Sequence, residues 1–123
     1  MTELQHQLMV DFDFLQRERE RLTLRIQELG LTMVGTLPIK TDDPVLVDRH
    51  YGWVLKIRPR TNMGLQCIEL LYNIPSPRGE RSSRFRTAQM TIDQLAERVL
   101  PWDGRTFDPA LKPYMEDDSD GTT

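Results

Sequence analysis

The sequence predicts an α+β fold: a long N-terminal helix, a small antiparallel β-meander of three or four strands, and a short C-terminal helix followed by an acidic tail. Three observations carry that expectation. Residues 2–29 hold neither proline nor glycine and repeat a leucine every seven positions. The middle of the chain alternates apolar and polar residues between turn formers. The last eight residues, 116–123, contain four carboxylates and no large apolar side chain. With 123 residues, of which 38% are hydrophobic, the chain divides into a coiled-coil-like helix at 1–30, an α+β domain at 31–115 and a disordered tail at 116–123.

The first helix starts at Thr2, which caps it with Gln5 in a capping box, and ends before Gly30 as a C-cap. Leu8, Leu15, Leu22 and Leu29 take heptad position d, and Gln5, Phe12, Arg19 and Ile26 take position a. Leu8, Phe12, Leu15, Leu22, Ile26 and Leu29 are therefore the dimerisation candidates, with Arg19 a charged break in the seam. The alternative is an amphipathic helix lying across its own sheet.

Strands are expected at Leu31–Leu37, Trp53–Arg58, Leu65–Tyr72 and Arg84–Ala88, with a loop at Lys40–Asp48 and a turn at Arg60–Gly64. Alternation puts Trp53, Leu55 and Ile57 on one face, makes Ile68, Leu70 and Tyr72 inward, and turns Phe85 and Thr87 inward with Arg84 and Arg86 outward. Thr91 and Gln94 open a last helix with a second capping box, whose Ile92, Leu95, Ala96 and Val99 face the core. Trp102 and Phe107 fold back onto the domain.

Charge is segregated. Residues 1–48 carry five Lys/Arg against nine Asp/Glu, residues 49–86 eight against two, and residues 87–123 three against eight. Within the basic middle, the segment between Tyr72 and Phe85 reads as a long loop or arm. It brings Arg78, Arg81, Arg84 and Arg86 within nine positions. Guanidinium forks suit phosphate oxygens. With Lys56 and Arg58 on the same open face, these six residues form the candidate nucleic-acid-binding surface. The same cations can instead dock on an acidic protein surface or on the chain's own tail.

Thr91–Val99 is similar to the first helix of many helix-turn-helix repressors. Pro101, Gly104, Pro109 and Pro113 then oppose the recognition helix such a motif requires. Catalysis finds little support. His6 and His50 lack metal-type spacing, Asp48, Arg49, His50 and Tyr51 form the only chemically capable cluster, and Cys67 stands alone mid-strand. No catalytic residue, metal or cofactor is expected. The absence of a signal-like start and of an apolar run near ~18 residues points to a cytoplasmic chain with no membrane partner. The expected function is that of a non-enzymatic, dimeric accessory or regulatory protein that binds nucleic acid. The alternative is a protein-binding adaptor or inhibitor acting through its acidic segments.

Overall fold

The computed structural model describes residues 1–111, so the acidic tail expected at 116–123 lies outside the described residues. Helix α1 spans Glu3–Gly35, about 50 Å at ~1.5 Å per residue. Its start is the capping box: the Thr2 hydroxyl accepts from the Gln5 amide at 3.1 Å, and the Gln5 side chain accepts from the Thr2 amide at 2.9 Å.

The helix does not stop at Gly30, and no strand forms at 31–37. Gly30 is buried inside α1, where a β-carbon would fall 2.7 Å from Thr61 Cγ2 and 2.8 Å from Pro59 Cβ. Glycine serves here to let the helix lie against the sheet rather than to end it. The helix ends at Thr36, whose amide and hydroxyl both reach the Met33 carbonyl, and Leu37 then enters the core.

Five strands follow: β1 (Pro44–Val47), β2 (His50–Pro59), β3 (Cys67–Pro75), β4 (Arg81–Thr91) and, after helix α2 (Ile92–Arg98), β5 (Val99–Pro101). They form one antiparallel sheet in the order β4-β3-β2-β1-β5. Thus α2 carries the chain from one sheet edge to the other. A flat sheet of five strands is about 19 Å wide at ~4.8 Å per strand, but a seven-residue helix spans only about 10 Å. The sheet must curl around a single core. Val47, Val54, Leu70, Met90 and Val99, one from each strand, meet there with Leu37 and with Leu95 of α2.

Two face assignments differ from the alternation. A bulge between Val54 and Lys56 leaves Leu55 exposed, so Val54 is buried and Ile57 shares its face, while Trp53 lies on the other. A bulge adds one residue and inverts the parity beyond it. In β4, Met90 lies opposite Ile68, Ala88 opposite Leu70 and Arg86 opposite Tyr72. The even positions therefore face the core, and Phe85 and Thr87 turn outward. Two apolar residues packed on Ile68 and Leu70 outweigh the single phenylalanine.

Candidate functional site

The segment expected to be a loose arm is a β-hairpin. β3 extends to Pro75, β4 begins at Arg81, and only Ser76–Glu80 turn between them. The Ser76 amide donates to the Glu80 carbonyl at 2.7 Å, and the Gly79 amide donates to the Ser76 carbonyl at 2.8 Å. The Ser76 hydroxyl accepts from the Arg78 and Glu80 amides. Gly79, with φ of 83°, lies under the ring of Phe107. That ring belongs to an outer aromatic cluster in which Tyr51 lies 4.8 Å from Trp102 and 4.9 Å from Phe107 between centroids. The Tyr51 hydroxyl accepts from the Asp108 amide at 2.6 Å. The C-terminal segment thus folds back and supports the hairpin tip.

The six expected phosphate ligands are not one surface. Lys56 lies opposite Leu71 and Arg58 opposite Glu69, on the face away from the core, whereas Arg86 lies opposite Tyr72 on the core face. Arg84 lies in the stretch of β4 where the register with β3 is irregular, and it is exposed. Arg58 and Arg60 share the Glu69 carboxylate at 3.6 and 3.9 Å. Arg81 donates to Asp42 at 2.8 Å and to the Asn73 side chain at 3.0 Å. The Asp42 carboxylate is 70% exposed, so this pair is of the weak surface kind, about 0–1 kcal/mol. Arg78 at the tip and Arg84 on the strand are exposed, and among the described residues neither guanidinium has a partner.

A second arginine centre escaped the sequence reading. Arg98, at the end of α2, forks onto Asp48, Nε to Oδ1 at 2.8 Å and Nη2 to Oδ2 at 2.6 Å, while Nη1 donates to the Gln89 carbonyl at 2.8 Å. The hydrogen bonds from this guanidinium hold the Asp48 carboxyl below its ordinary value of 3.8. Asp48 and Arg49 both have positive φ, 49° and 72°, and make the two-residue β1–β2 turn of primed type. Arg98 therefore ties that turn to both sheet edges. It is a structural clamp. The visible signal was a basic residue in the last turn of a capped helix.

The seam residues of α1 are uncovered. Leu8, Phe12, Leu15, Leu22, Ile26 and Leu29 are between 39% and 63% exposed, and α1 meets the end of β2 and the Thr61–Met63 turn where Gly30 lies against Pro59 and Thr61. It does not lie across its own sheet.

Among the described residues no cluster of His, Cys, Asp and Glu has metal-binding geometry, and no helix is long and apolar enough to cross a membrane. Cys67 is half-buried and donates to the Met63 carbonyl at 3.4 Å. No family model, no curated protein and no solved structure matches the chain.

Proposed function

We propose that this chain is a non-catalytic, dimeric accessory protein that binds nucleic-acid phosphates through its β3–β4 hairpin. Two copies pair through α1, and each domain offers Arg78 and Arg84, with Arg81 released from its exposed Asp42 pair when a phosphate replaces the carboxylate. The observation that carries the reading is an ordered hairpin with two exposed guanidinium groups that no described carboxylate neutralises. Lys56 and Arg58 belong to a different face, and their contribution is secondary.

Salt-titrated binding to random-sequence duplex tests the partner. Arg78→Ala with Arg84→Ala is expected to lower the log–log salt slope by about two per protomer, since each lost phosphate contact removes ~0.9. Unchanged affinity and slope would overturn the assignment.

The ion pairs Arg58–Glu69 and Arg81–Asp42 favour a second reading, an adaptor for a basic protein surface. Absence of duplex binding at low salt, together with a dimeric chain, selects it.

A further inference from the structure

Resting on the pairing proposed above, we infer that the helix of the second copy runs antiparallel to α1, centred near Arg17. In that register every a position meets a d position: Gln5 opposite Leu29, Leu8 opposite Ile26, Phe12 opposite Leu22 and Leu15 opposite Arg19. No a or d residue between Gln5 and Leu29 is left over. Six half-exposed seam side chains per copy, at about 100 Å² each, bury on the order of 1,200 Å² in total, the lower bound of a specific interface.

Charge decides the direction. Residues 3–16 carry Glu3, Asp11 and Asp13 and no Lys or Arg, while all four arginines of α1, Arg17, Arg19, Arg21 and Arg25, lie in the second half beside Glu18, Glu20 and Glu28. Antiparallel packing sets g positions against g positions, so Asp11 faces Arg25 of the second copy, and symmetry makes that pair twice. In the single chain Arg25 is held only by Glu28, an exposed pair at 3.2 Å. Glu18 meets its own copy on the two-fold axis, flanked by both Arg19 side chains. A parallel pair instead places Arg19 against Arg19 in one core layer and leaves Asp11 beside Gln16. Like charges in a buried layer oppose it.

The geometry also places the two domains. Gly30, where α1 meets the sheet, lies thirteen residues from the centre, so the attachment points are about 40 Å apart at opposite ends of the rod. The hairpins are thus carried on separate ends rather than side by side.

The test uses full-length chains with Cys67→Ser and a single new cysteine, Gln5→Cys or Leu29→Cys, oxidised alone and mixed. Sedimentation of the Cys67→Ser parent gives the oligomeric state independently. A disulfide-linked dimer is expected from the mixture and from neither chain alone, because the two copies of residue 5 lie about 36 Å apart. A strong disulfide-linked band from Gln5→Cys alone, or no band from any mixture of a dimeric parent, overturns the orientation and leaves the pairing standing. A monomeric parent removes both. As a second measure, Asp11→Arg is expected to weaken dimerisation about three- to tenfold, and adding Arg25→Asp to restore it. Failure of the double variant to recover also overturns the antiparallel arrangement.

Discussion

Leu70 of β3 and Leu15 of α1 are the same residue in elements of comparable regularity, yet Leu70 is 0% exposed and Leu15 is 63% exposed. The β domain brings the apolar residues of five strands to one centre. The helix holds as many large apolar side chains, spread along about 50 Å of rod with nothing beneath most of them. The contrast separates two uses of hydrophobicity. In the domain it holds a single chain together; along the rod it is left on the surface.

The sharpest way to break that comparison is to truncate one leucine on each side. Leu70→Ala is expected to cost about 2–5 kcal/mol of stability in denaturant unfolding. Leu15→Gln with Leu22→Gln is expected to shift the domain's unfolding by less than about 0.5 kcal/mol, while sedimentation falls from dimer to monomer. A large stability loss in a monomeric double variant would show that α1 packs on its own domain.

Gly30→Leu sharpens the junction between the two regions. Its side chain collides with Pro59 and Thr61, so a loss of about 1–3 kcal/mol is expected. Hydrogen exchange should rise at the end of β2 and stay unchanged in β3 and β4.

The two capping boxes give a matched pair of smaller effects. Thr91→Ala is expected to cost about 1 kcal/mol in domain unfolding, and Thr2→Ala to cost the same helix end locally without moving the domain's transition. Equal effects would couple the rod to the core.

The smallest prediction concerns acid. Asp48 has its folded-state value depressed by Arg98, so the stability it adds is present above about pH 4 and lost as pH falls through the folded value. Asp48→Asn is expected to lower neutral-pH stability by up to about 1 kcal/mol and to flatten the loss below pH 4. Asp103, held at about 2 by the Thr106 and Arg105 amides, belongs to the C-terminal segment. It should not change that difference.

Local signals were legible wherever one residue type has one use. Both capping boxes and the inward set of β3 follow from spacing alone. What failed were positions where one residue type serves two ends. Gly30 has the spacing of a C-cap, and only the tertiary approach of Pro59 shows that the helix runs through it. Phe85 suggests an inward parity in β4 that the contacts of Met90 and Ala88 reverse. β1 and β5 are four and three residues long and begin or end in proline, too short to show alternation before their partners are known. At the candidate site the arginines could be read, but not their division between two faces, which depends on the Val54–Lys56 bulge and the β4 register.

Pairing of β1 with β5 sets Val47 against Val99. During synthesis the sheet therefore stays incomplete until its last strand has left the ribosome, whereas α1 is complete more than sixty residues earlier. Contacts so distant in sequence are the slow ones in folding. A newborn chain displays its leucine rod well before it owns a finished core.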